Sequence, residues 1–279
     1  MSEPFGPMGT RIQPRLAEAI AAELRERILN GSIPEGALPK QEDLVVMFGV
    51  SAPPMREALR ILEVEGLITV RRGKLGGAVV HRPNGGSMAH AIGMALQGEQ
   101  VHLHDLAESI RDLEPRSAAA CAQRADRKDV LRPRFEENLE LSAAAVGDGP
   151  AFTRVSRTFH ELVVAYTTPV TTRLLIRSLV TIWTAQEQTW AHEASEVGHY
   201  PTKQEQRTVL NAHRRIATRI LDGDAAGAER SARAHLHASQ DRVLAEFGDR
   251  VVDAASSRAI RGLRSVTTDQ RSDAGYSVL

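Results

Sequence analysis

Apolar residues recur every four positions at Leu16, Ile20, Leu24 and Ile28, which predicts a helix with one buried face near the start of the chain. A glycine-bounded turn over residues 31–36 follows. Residues 41–48 then read as a second, short helix, with Gly49 as the tight turn before the next element. From residue 51 the pattern is helical again, with Ser51 at the N-cap position, Pro53 and Pro54 just inside, and Gly66 as the stop. Two short β-rich runs within residues 69–80, joined by a basic, glycine-bearing tip, predict a hairpin.

Residues 81–87, His-Arg-Pro-Asn-Gly-Gly-Ser, read as a linker, taken as 83–87. Beyond it an apolar period of three to four residues runs to about position 248 and predicts helices near 88–97, 102–125, 128–146, 150–166, 170–193, 202–222 and 225–246. The last thirty residues, rich in Ser, Arg, Asp and Thr, predict a loosely attached tail with a short helix around 251–263. The expected organisation is therefore mainly α. Residues 11–82 form a winged helix-turn-helix with a small β-hairpin wing, 88–248 an antiparallel helical bundle, and 249–279 a tail.

In a winged helix-turn-helix, the helix from Ser51 lies in the major groove with its first residues nearest the base edges, and the hairpin tip around Lys74 touches the flanking backbone or minor groove. Double-stranded DNA is the expected partner. Arg56 and Arg60, one turn apart with Glu57 and Glu63 nearby, would on their own also read as an ordinary solvated helix face. The 279 residues carry no net charge, which argues against a protein that coats nucleic acid unspecifically. Charge is local instead. Between positions 51 and 82, Arg56, Arg60, Arg71, Arg72, Lys74 and Arg82 stand against Glu57, Glu63 and Glu65, six positive charges against three negative. The single Cys121 excludes an intrachain disulfide framework, no apolar run reaches membrane-spanning length, and residues 1–10 lack a signal peptide's pattern. A cytoplasmic location, with no membrane partner, is expected.

The helical stretch carries a second pattern. His160 edges the apolar stripe of Phe152, Val155, Phe159, Leu162 and Val163; His213 lies among Val209, Leu210, Ile216, Ala217 and Ile220; His235 falls on the small-residue face of Ala228, Ala232 and Ser239. Each alone reads as a hydrogen-bonded core histidine. Three of them facing one interior is unusual, because a buried imidazole needs partners for both ring nitrogens, and a shared metal would satisfy all three. Zinc or nickel suits imidazole ligands. A metal-dependent enzyme using this site, with Glu161 or Glu114 as base, is the alternative. The chain has no HExxH, nucleophile elbow or phosphate-cradling glycine loop.

Residues 38–80, LPKQEDLVVMFGVSAPPMREALRILEVEGLITVRRGKLGGAVV, resemble the N-terminal domain of GntR-type bacterial transcription regulators, and the helical remainder resembles the FadR branch with its FCD effector domain. The resemblance implies a homodimer on a two-fold symmetric operator, more often a repressor, answering to a small organic acid or an acyl-derived metabolite. It places Lys40, Ser51, Pro53, Arg56, Arg60, Lys74, Gly76 and Gly77 at the DNA. The chain departs from the family's Ser-Glu-Arg run at Lys40-Gln41-Glu42, and from a usual arginine at Ala52. The family's metal-binding members are similar in carrying Phe-His on one helix and two further histidines on the last two helices. Here these are Phe159-His160, His213 and His235, the last two 22 positions apart. Where many members have an aspartate ligand this chain has Ser156, leaving three histidines with an exogenous ligand, recruitment of a carboxylate such as Glu114, or an apolar acyl pocket without metal. The run Arg111-Asp112-Leu113-Glu114-Pro115 resembles the family's helix whose arginine points at the effector, which implies Arg111, His160, His213 and His235 as effector contacts.

Overall fold

The computed structural model describes residues 12–71, 77–81 and 85–256. The chain divides into two compact units, Met1–Asn84 and Gly85–Leu279.

The first unit runs α1 (Ile12–Leu29), β1 (Gly36–Ala37), α2 (Gln41–Phe48), α3 (Ala52–Val64), β2 (Ile68–Arg71) and β3 (Gly77–Val80). Ile20, Leu24 and Ile28 of α1 close over Leu44 of α2, Met55 and Leu62 of α3, and Ile68 and Val80 of the sheet, all buried. Leu16 is 42 % exposed, so the buried stripe of α1 begins at Ala17 and not at the first apolar position of the repeat. Gly49 adopts φ 62° and ψ 33°, a left-handed conformation that costs glycine least, and this sets the turn between α2 and α3. Ser51 holds the extended N-cap backbone, but its hydroxyl makes no capping bond. The prolines at the helix start, whose fixed φ suits it, carry the initiation instead. The hairpin pairs Ile68 with Val80 and Arg71 with Gly77, and the two-residue β1 adds a third antiparallel strand on β3, too short to leave a pattern in the sequence. Glu63 of α3 accepts the Val70 backbone N–H at 3.0 Å, tying the end of α3 to the hairpin. Lys74 and Gly76, expected at the wing tip, lie outside the described residues.

The second unit is helical: α4 (Gly85–Gly98), α5 (Leu103–Gln123), α6 (Arg127–Ala144), α7 (Gly149–Ala165), α8 (Val170–Glu196), α9 (Lys203–Asp222) and α10 (Ala225–Phe247). Helix α10 packs along α5 and α9, and α7 along α8 and α6, around Trp183, Ile110, Leu236, Phe135 and Phe159. Proline inside a helix leaves the carbonyl four residues earlier without its partner. In α5 the carbonyl of Arg111, orphaned by Pro115, accepts from Arg233 Nη1 of α10 at 3.1 Å, so the break becomes a cross-helix bond.

Two expectations need correction here. Residues 85–87, read as linker, form the first turn of α4, a position where glycine and serine are well tolerated. The segment after Phe247 is packed where a loose tail was expected, and residues 251–256 are not helical. Arg250 C=O accepts from Leu103 N–H at 3.0 Å, Val252 N–H donates to Val101 C=O at 2.9 Å, and Ala254 N–H donates to Gln97 Oε1 at 2.9 Å. Val252 and Ala254 are fully buried, because alternate side chains of an extended segment face the same way and these two are apolar. Residues 257–279, with the rest of the expected short helix, lie outside the described residues.

Candidate metal and effector site

Helix α7 supplies His160, α9 supplies His213 and α10 supplies His235, each on the buried face of its helix. Their Nε2 atoms converge: 2.9 Å from His213 to His235, and 3.2 Å from each of these to His160. Every Nε2 either carries a proton or presents a lone pair. Among three mutual neighbours at least two therefore hold the same role, and at least one of these short contacts is repulsive without a further group. One divalent ion facing three lone pairs removes the conflict. A metal–nitrogen distance of about 2.0–2.1 Å puts neighbouring ligands about 2.9–3.4 Å apart, the range seen here. Among the described residues this is the cluster whose donor atoms could share an ion.

The surroundings prepare the rings for that role. Glu114 of α5 approaches His160 Nδ1 at 2.5 Å, which puts the proton on Nδ1 and leaves the Nε2 lone pair facing the cluster. Burial alone would raise the Glu114 pKa, but the electrostatic influence and hydrogen bond of His160, helped by the positive Arg157, outweigh it and hold the carboxyl below its ordinary value. Glu114 therefore stands behind His160 and is no fourth member of the cluster. His213 and His235 are held well below the usual histidine range, first by burial and then by neighbouring positive charge, so they present neutral imidazoles. Phe159 stacks on His213 with centroids 4.3 Å apart and fixes its plane. The Ser156 hydroxyl is buried with no hydrogen-bond partner. The residues present thus fit a metal held by three histidines, with no protein carboxylate completing it.

The histidines line one wall of a cavity of about 560 Å³, walled elsewhere by Phe152, Trp190, Val209 and Ala212. Arg111 is not among its lining residues. Its guanidinium is engaged by Glu108 at 3.1 Å, by Gln240 Oε1 at 2.8 Å and by Asp241 at 2.5 Å, where it ties α5 to α10. Arg111, expected as an effector contact, is thus placed against partners on α10 that come from 129 and 130 positions away in sequence, and away from this cavity. Arg157, 3 % exposed, lines the cavity in its place. It went unnoticed in the sequence although it precedes His160 by three positions, which puts it on the same helix face. Glu161, offered as a catalytic base, does not line the cavity.

In the first unit Lys40, Ser51, Pro53, Arg56 and Arg60 are all exposed, and Gly77 opens β3. Arg60 meets Glu57 at a loose 3.6 Å with its side chain 76 % exposed, so the pair leaves the guanidinium available.

Comparison with known proteins agrees with both units. Residues 16–80 match the model of the bacterial regulatory proteins, gntR family, and residues 105–238 that of the FCD domain. The chain is 30 % identical over 243 residues to the "Uncharacterized HTH-type transcriptional regulator Rv0494" of Mycobacterium tuberculosis, covering 85 % of this chain and 93 % of that one. It is 26 % identical over 155 residues to the HTH-type transcriptional repressor NanR of Klebsiella aerogenes, over 53 % of this chain and 57 % of that protein. The solved structure of Streptococcus agalactiae GntR shares the fold with a TM-score of 0.59 at 22 % identity, over 81 % of this chain and 99 % of that one. These relatives are regulators, not enzymes, and among the described residues no helix is long and apolar enough to cross a membrane. The chain belongs to the GntR family of bacterial transcription regulators, in the branch that carries an FCD domain.

Proposed function

We propose that this regulator is a homodimeric, effector-responsive repressor whose helical unit senses a small organic acid beside a metal held by His160, His213 and His235. The observation that carries the reading is the convergence of three buried Nε2 atoms on the wall of a cavity large enough for a metabolite. When bound, a zinc or nickel ion supplies a Lewis-acidic, positively charged anchor for an anionic ligand. Glu114 orients His160, Phe159 holds the His213 ring, and the buried setting keeps both His213 and His235 neutral. Residues up to Asn84 bind DNA: Arg56 and Arg60 face the major groove, Lys40 the phosphate backbone, and the wing with Lys74, Gly76 and Gly77 the flanking backbone. Two such units, related by a two-fold axis, match a palindromic operator. An acid that binds one arrangement of the dimer better than the other shifts the population towards it, and differential affinity is all the coupling needed.

Selection of genomic DNA fragments by the purified protein at near-physiological salt, followed by metal analysis of wild type beside His213→Ala, tests the proposal. A short palindromic site bound by wild type, with metal in wild type and little in the variant, is the expected result. Recovery of no specific fragment, with or without added zinc or nickel, would overturn the DNA reading. Equal metal in the two proteins would overturn the three-histidine site.

A further inference from the structure

Four residues that line the cavity carry a buried polar atom with no partner: Ser156 Oγ, Arg157 Nη2, Trp190 Nε1 and His213 Nδ1, of which the first two come from consecutive residues of α7 and one of these two is a cation. A buried guanidinium N–H left unbonded is costly, and so is a buried hydroxyl. Arg157 is only partly satisfied elsewhere, with Nε 3.4 Å from Thr184 Oγ1 and 3.5 Å from Glu187 Oε2. That carboxylate oxygen is already taken by Trp183 Nε1 at 2.7 Å, so Glu187 is a shared and distant counter-charge. The Ser156 and Arg157 groups can both donate, and both residues line the cavity that the histidines line. They describe the recognition of a planar, singly charged oxyanion: one oxygen on Arg157 Nη2, with the Ser156 hydroxyl beside it.

What surrounds this polar corner limits the rest of the ligand. Phe152, Trp190, Val209, Ala212 and Ala234 give the cavity an apolar body. Arg215, Arg230 and Arg242 line it as exposed side chains, with Arg242 already bonded to Glu205 at 2.6 Å. Deep inside, a single guanidinium with half a counter-ion favours one carboxylate over several, and about 560 Å³ is several times what the smallest organic acids fill.

We infer that Arg157, together with Ser156, is the carboxylate-recognition element of the cavity, and that its ligand class is a monocarboxylic acid with an apolar body. This rests on the reading of the cavity as the effector site. It assigns to Arg157 the role that the sequence suggested for Arg111, which the structure ties up between α5 and α10.

The test compares octanoate with its neutral isostere octanamide and with citrate, by titration calorimetry and by quenching of Trp190, a cavity residue. Wild type is expected to bind octanoate about tenfold or more tightly than octanamide, the worth of a charge-assisted bond, and more tightly than citrate. Arg157→Met should lose the preference for acid over amide, Arg157→Lys should keep part of it, and Arg111→Met should keep all of it. The acid–amide comparison on wild type needs no variant to fold. Equal binding of acid and amide, tighter binding of citrate, binding of none of the three, or an unchanged preference in folded Arg157→Met would each overturn the inference. Release of the selected DNA fragments, followed in the same samples, separates the two claims. Acid binding through Arg157 without effect on DNA keeps the inference and defeats the effector role, whereas acid-driven release that persists in Arg157→Met does the reverse.

Discussion

The DNA-binding unit and the histidine site solve opposite problems with the same residue types. In the first, Arg56 and Arg60 stand on the exposed side of α3 while Met55, Ala58, Leu59 and Leu62 hold its other side in the core, so the residues proposed to meet DNA and those that hold the fold alternate along one helix. In the second, the residues proposed to meet the ligand are themselves buried: His160, His213, His235 and Arg157 are core positions of α7, α9 and α10. The difference teaches where function and stability can be separated. On an exposed helix face a charge can change without cost to folding, whereas inside the bundle each polar atom is part of the packing account as well as the site.

The widest gap between the two regions should open with Phe159→Ala. Phe159 packs against Phe135 at 5.3 Å and against the His213 ring, and is buried. Its removal should cost the helical unit about 3–5 kcal/mol in chemical denaturation, with metal affinity falling alongside. A loss below about 1 kcal/mol would show that the ring is not packed as described. Next in size, Glu114→Gln should weaken zinc or nickel binding about 10–100-fold in competition with a chelator, because the amide is a poorer partner for Nδ1–H of His160. An unchanged affinity would remove Glu114 from the site. Arg56→Ala sharpens the contrast from the other side: operator affinity should drop by about 1–3 kcal/mol while thermal stability stays within about 0.5 kcal/mol of wild type. A stability loss as large as the binding loss would erase the distinction between the regions.

The smallest effect concerns Glu205 at the start of α9. Bonds from Arg242, from the Thr202 backbone and from the Thr202 hydroxyl hold its carboxyl down to about 2, against an ordinary 4.5. Its ionised form thus favours the folded chain above pH 4.5, and that contribution fades as pH falls through 4.5 towards 2. Between pH 5 and pH 3 the melting temperature of wild type should therefore fall slightly more steeply than that of Glu205→Gln; parallel curves would discharge the capping pair from any role. The effect is small because the pair is solvent-exposed.

How legible each region was in the sequence follows from the range of the contacts that build it. The winged unit is made of neighbours: the pattern from residue 41 to residue 66 gave both helices within a residue or two, because caps, glycine turns and the buried face all lie within one stretch. The bundle helices were equally readable by period. Their meeting was not. Convergence of His160 with His213 and His235 spans 53 and 75 positions; the inward faces of three helices hinted at it, and the Phe-His pair and the 22-residue spacing, through a family resemblance, strengthened the hint. Arg111 shows how far local reasoning reaches. Its place on the inward face of α5 was right, but whether an inward arginine meets a ligand or the neighbouring helix depended on Gln240 and Asp241 of α10. Arg157 shows the reverse, since a charge on an amphipathic helix reads as solvated until the structure buries it.

The return of the chain after α10 decides where this helical unit can be cut. The stretch recognisable as an FCD domain ends at residue 238, before the Gln240 and Asp241 partners of Arg111, and before Arg250, Val252 and Ala254, which bond to Leu103, Val101 and Gln97. A Cβ at Gly93 would come within 2.9 Å of Ala254 Cβ, so the first helix of the unit is moulded to the last few residues after α10. An expression boundary drawn at the edge of the family pattern would leave backbone groups and an apolar groove open to solvent. A fragment that keeps these contacts has to reach from Gly85 past Ala254, its beginning and its end clasping one another.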